Sequence, residues 1–131
     1  MLPKKPTAFC ITKDANISAE EIIKATGNCS SVSEMCILGI SIIIACKDSS
    51  HQSIEWDKIR QPGGIMKGRL NDYENHEVLA HLYLSVFNES EKNDVWKNLQ
   101  KAASQGIMIL KSEYFTSQNL LDWEKISKDF S

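Results

Sequence analysis

No C-x-x-C pair occurs in this 131-residue chain, although it contains four cysteines. Cys10, Cys29, Cys36 and Cys46 are separated by 19, 7 and 10 positions, which excludes the ligand spacing of a zinc ribbon and the dithiol of a thioredoxin motif. Three of the four sit among apolar residues and are expected to be reduced core thiols. Charge of one sign is also lacking. Fifteen basic residues stand against 17 acidic ones, a net charge of −2, so there is no broad attraction to nucleic acid or to an anionic membrane. The longest uncharged run, Met35–Cys46, is too short to span a bilayer as a helix, which takes about 20 residues. Met1–Pro6 has two lysines but no apolar signal core after it, so a cytoplasmic protein is expected. Internal repeats, low-complexity tracts and linkers are absent, and residues 1–131 read as a single domain.

Apolar residues make up 42% of the chain and charged residues 24%, enough for a sizeable core and too few charges for disorder. Thr7–Lys13 has the aromatic and β-branched content of a strand. Ser18-Ala-Glu-Glu21 has the S-x-x-E spacing of a helix start, and Gly27 would end that helix. A second S-x-x-E, Ser31–Glu34, precedes the uncharged run. Two readings of that run compete. It is either a short helix ending at Gly39 followed by a buried strand, Ile40–Cys46, or one long strand bent at Gly39. Isoleucine at 40, 42, 43 and 44 favours a strand for the second half in both. Ile65–Leu70 and Ile107–Leu110 also read as strands. Val78, Leu79, Leu82, Val86 and Phe87 give helical periodicity over His76–Phe87. Val95, Trp96, Leu99, Ala102 and Ala103 form one face of a helix after Ser90 that should end at Gly106. Leu120, Leu121, Trp123, Ile126 and Phe130 mark a last helix. The predicted fold class is α/β or α+β: a mixed central sheet with helices packed on it.

Three motifs come close to known chemistry and miss. Asp14–Glu21 resembles the end of a calcium loop, but the first, third and sixth positions would be Cys10, Thr12 and Ala15, leaving too few oxygen ligands. His76 and His81 bracket Glu77 as in H-E-x-x-H, with one residue too many. At five residues apart the two imidazoles point about 140° from each other on a regular helix. Gly63–Leu70 has the glycine spacing of a phosphate loop, but Arg69 and Leu70 stand where lysine and a hydroxyl are needed. A weaker anion site survives there, in Arg60, Lys67 and Arg69, which include both arginines of the chain. No metal or other cofactor is expected. Cys29 is the cysteine in the most polar surroundings, with no histidine near it in sequence to act as a base.

The acidic residues Asp72, Glu74, Glu77, Glu91 and Asp94 cluster around the two consecutive helices. With the tryptophans Trp56 and Trp123 they form the expected partner-binding set, acidic groups for encounter with a basic protein and aromatics for anchoring. The expectation is therefore a small protein-binding module acting by surface complementarity. A toxin-immunity or antitoxin-like inhibitor of a basic toxin or enzyme is one form of it, and neither nucleic acid nor membrane is expected as partner. The alternative is a small enzyme or an anion- or ligand-binding domain with its site in loops at strand ends, where Asp14, Asp48, His51 and Arg69 would be the residues to test.

Overall fold

Thr12 marks the change from strand to helix at the start of the chain. Its backbone is extended and its hydroxyl accepts the Ala15 N–H at 3.1 Å, so the helix begins at Lys13, five residues before Ser18. The computed structural model describes residues 2–3, 9–26, 31–47, 49–59, 64–66, 76–87, 93–116 and 121–129. Their order is β1 (Cys10–Thr12), α1 (Lys13–Ala25), α2 (Val32–Cys46), two 3-10 turns (Ser49–Ser53 and Trp56–Lys58), β2 (Gly64–Met66), α3 (His76–Val86), α4 (Val95–Ile109) running into a π turn (Leu110–Tyr114), and α5 (Trp123–Asp129). The predicted mixed α/β sheet is overturned, because the fold is helical. Its β structure, among the described residues, is a three-residue antiparallel ladder between β1 and β2 and one isolated bridge, Phe115 to Leu121.

The uncharged run is where the expectation failed. Ser31 accepts the Glu34 N–H at 3.2 Å, as the S-x-x-E spacing predicted, but the helix it opens continues through Gly39 to Cys46 without a break. Uniform apolarity carries neither a period of 2 nor one of 3.6, so the isoleucines were the only guide, and β-branching is a weak one. Packing decides instead: Met35, Cys36, Gly39, Ile40, Ile42 and Ile43 form one buried face at helical spacing. The helix ends at Lys47, which takes the left-handed conformation (φ 58°) and donates its N–H to Ile43 O.

Ile107–Leu110 is likewise not a strand. Gly106 lies inside α4, not at its end. The two glycines expected to interrupt structure are where α2 and α4 meet. A Cβ on Gly106 would fall 2.1 Å from Gly39 O, and one on Gly39 would fall 2.9 Å from Ala103 O. Only residues without a side chain allow two helix backbones to approach so closely, which offsets the roughly 1 kcal/mol that glycine costs a helix relative to alanine.

Helix α4 lies at the centre, packed against α1, α2, α3, β1 and the Ser49–Ser53 turn. It also completes the first strand. Gln100 Oε1 accepts the Cys10 N–H at 2.8 Å and Ser104 Oγ accepts the Thr12 N–H at 3.0 Å. Two polar side chains one helical turn apart thus replace a neighbouring strand. Their remaining capacity is used within α4, by Trp96 O and Gln100 O respectively.

Helix α3 forms where the periodicity predicted, but its inward face is not the expected Val78–Leu79–Leu82 stripe. Leu79, Ala80 and Tyr83 face the core while Val78 and Leu82 are exposed. All five of the apolar positions predicted for α4, Val95 to Ala103, are buried. Helix α5 starts at Trp123, past the expected Leu120 and Leu121, with Asp122 Oδ1 accepting the Lys125 N–H at 3.0 Å. Ser90 lies outside the described residues.

Candidate functional site

Helix α2 carries one charge in fifteen residues, yet only one of its faces packs against α1, α3 and α4. The other turns outward. There Ile37, Leu38 and Ile44 are half-buried and Ser41 and Ala45 exposed. A helix apolar all round is normally enclosed on all sides, so an uncovered second face is a feature to be explained. Ser41 does not interrupt it chemically, because its hydroxyl donates to Ile37 O at 2.8 Å and is satisfied within its own helix.

The first residue of α5, Trp123, borders this face. It is 56% exposed, although large aromatics usually find cover. Together with Glu34, Met35, Ile37, Leu38 and Ser41 it lines an open groove of about 270 Å³. Glu34 supplies an acidic rim, and Asp122 and Glu124 flank Trp123 in the chain. The groove can take an apolar side chain and favours basic groups around it.

A second, larger groove of about 680 Å³ lies between the start of α1, the two 3-10 turns and α4. Thr12, Lys13, Asp14, Ser53, Glu55, Lys58 and Gln105 are its polar lining, Ile54 and Met108 its apolar part. Two lysines and two carboxylates balance each other in charge. Met108 Sδ accepts the Ser18 hydroxyl at 3.5 Å.

His51, one of the residues to test under the enzyme reading, is a core residue. It is fully buried, with Nε2 2.7 Å from the Tyr83 hydroxyl and its ring edge-on to Tyr83 and Phe87. Gln52 Nε2 donates to the same hydroxyl at 3.3 Å. Burial pushes the Cys10 thiol above its ordinary pKa, which disfavours the nucleophilic thiolate. Cys10, Cys36 and Cys46 are all free thiols. The Asp14–Glu21 stretch is not a loop at all; it lies within α1.

Of the predicted partner-binding residues, Trp123, Glu77 and Asp94 are exposed. Asp94 stands at the N-cap of α4 without a side-chain capping bond. Trp56 is half-buried, with the Lys97 ammonium 5.4 Å from its ring centroid, so one ring face is already occupied. Asp72, Glu74 and Glu91 lie outside the described residues, as do Arg60, Lys67 and Arg69 of the expected anion site, and Cys29 and Asp48. Trp123 is therefore the predicted partner-binding residue that the fold joins to a groove, as Asp14 of the enzyme reading is joined to the larger one. The residues that sequence reasoning missed are the companions of Trp123: Glu34, Leu38 and Ser41. A signal for them existed: one helix face cannot use as many apolar residues as the run contains.

No protein-family model matches the chain, and no curated protein or solved structure shows significant similarity to it. Among the described residues, no helix is long and apolar enough to cross a membrane, and no group of three or more His, Cys, Asp or Glu side chains is placed to hold a metal ion.

Proposed function

We propose that the protein is a protein-binding module acting by surface complementarity, with the outward face of α2 and Trp123 as its contact surface. The observation that carries this reading is the exposed indole of Trp123 beside a groove lined by Ile37 and Leu38. Aromatic anchors next to apolar grooves supply much of the energy of protein interfaces. The acidic Glu34 at the rim supports a partner with a basic residue beside an apolar centre. In its narrower form, a toxin-immunity or antitoxin-like inhibitor, the same face would cover the active site of a basic enzyme.

The test is affinity purification from the native host with the intact chain and with Trp123→Ala and Leu38→Glu. A stoichiometric protein recovered with the intact chain and lost from both variants supports the proposal. Equal recovery with all three overturns it. A second reading, binding of a small polar ligand, is favoured by the larger groove at the start of α1. It predicts that a metabolite raises the thermal stability of the intact chain and not of Lys58→Ala.

A further inference from the structure

We infer that the larger groove, between the start of α1, the two 3-10 turns and α4, binds a short peptide with free ends and an apolar side chain. The inference rests on the reading of this groove as a small-ligand site and names the ligand class. It does not depend on the α2 face.

Charge is the first reason. Lys13 and Asp14 line the groove from the first turn of α1, and Glu55 and Lys58 from the two ends of the second 3-10 turn. None of these four side chains forms an ion pair or hydrogen bond among the described residues. Glu55 and Lys58 stay apart although residues three positions apart eclipse each other in a 3-10 turn, and although the Lys58 N–H donates to Glu55 O at 3.0 Å. One unpaired charge on a convex surface is ordinary. Two ammonium and two carboxylate groups around one concave space suit a ligand that carries both signs. An anion would face two carboxylates and a cation two ammonium groups, while an apolar ligand would desolvate all four without replacing their water. A zwitterion offers each of them its opposite.

The rest of the lining separates a peptide from other zwitterions. The Gln105 side chain is half-buried in the groove and makes no hydrogen bond among the described residues. Its amide carries both donors and an acceptor, which is what a peptide group requires of a partner. Ile54 and Met108 provide apolar cover for a side chain. The groove volume of about 680 Å³ is more than a single amino acid fills.

Calorimetric titration of the intact chain with alanyl-leucine, its N-acetyl form and its amide tests this. Alanyl-leucine is expected to bind, and blocking either end should weaken it about tenfold. Asp14→Asn with Glu55→Gln should abolish the preference for a free amine, and Lys13→Ala with Lys58→Ala the preference for a free carboxylate. All four are exposed changes, so circular dichroism should match that of the intact chain. Gln105→Ala should weaken the three forms alike, about fivefold. Absence of alanyl-leucine binding overturns the inference, as does equal binding of the blocked forms or binding indifferent to both charge variants. A chain that ignores the dipeptide but still recovers a host partner lost on Trp123→Ala overturns this inference and leaves the protein-contact reading standing.

Discussion

Helices α2 and α4 are equal in length and packed on each other, and they use their residues in opposite ways. Helix α4 is amphipathic and central, and its buried positions include the polar side chains of Asn98, Gln100 and Ser104. Helix α2 is almost uncharged, yet Ser41, Ala45 and Cys46 face solvent. Hydrophobicity alone would have placed α2 at the centre and α4 at the side. Helix α4 is central because other elements pack on several of its sides, and its Gln100 and Ser104 side chains serve as hydrogen-bond acceptors for β1.

The sharpest way to break the contrast is at the crossing itself. Gly106→Ala would set a methyl group against the Gly39 backbone, which no rotamer change relieves, and should destabilise the fold by about 3 kcal/mol or more. Gly39→Ala meets Ala103 O at a less severe 2.9 Å and should cost less. Thermal or urea unfolding of the two variants checks the order, and equal stability of Gly106→Ala and the intact chain would mean that the helices do not cross there.

The buried polar groups of α4 come next. Gln100→Ala leaves the Cys10 N–H without its acceptor and should cost about 1–3 kcal/mol in urea unfolding. On the outward face of α2, Leu38→Gln should change monomer stability by only about 0.5 kcal/mol, as for most changes at incompletely buried sites. If the α2 change costs more than the α4 change, the assignment of inside and outside is reversed.

Alkaline pH probes the far side of α4, where the π turn ends. Burial first, and then the Asp129 carboxylate that accepts the Tyr114 hydroxyl at 2.9 Å, push the Tyr114 phenol up to about 12, against 10 for the free group. The folded protein thus holds this proton where the unfolded chain has lost it. The stabilisation is complete below pH 10 and declines as pH rises toward 12. Unfolding of Tyr114→Phe should show a shallower loss of stability over that window.

The smallest effect compares two cysteines of α2 without altering the protein. Cys46 is exposed and Cys36 is buried, so brief alkylation followed by peptide mapping should modify Cys46 first. Cys10, with its raised pKa, should lag behind Cys46 as well.

Legibility in the sequence followed the clarity of the period. Val95 to Ala103 in α4 recur among polar residues at 3–4 spacing and all five predicted positions are buried; α3 also formed where its pattern placed it, but Val78 and Leu82 of the expected face are exposed and Tyr83, outside that set, is buried. Where the pattern was saturated, as in Ile40–Cys46, or too short, as in Ile107–Leu110, branched side chains suggested strands that do not exist. The glycines misled for a related reason. Glycine is a common helix terminator, but it is equally what two crossing backbones require, and a single chain segment does not contain the other helix. The N-terminal cap was found at Ser31 and missed at Thr12, because the Ser18–Glu21 spacing fits a capping box that lies inside α1. For the candidate site, Trp123 was legible as an anchor by residue type. Its groove was not, since Leu38 and Ser41 are 85 and 82 positions away in the chain.

Local chemistry was determined by the sequence on its own: the absence of zinc and dithiol spacings, the near-neutral charge, the cap at Ser31 and the amphipathic face of α4. These depend on residues within a turn or two of one another. The tertiary structure alone decided that the isoleucine run is a helix, that Gly39 and Gly106 are a contact, that Gln100 and Ser104 serve as a strand's partner, and that one face of α2 remains open beside Trp123. Each of these is a relation between distant segments, and its free energy exists only once both are in place.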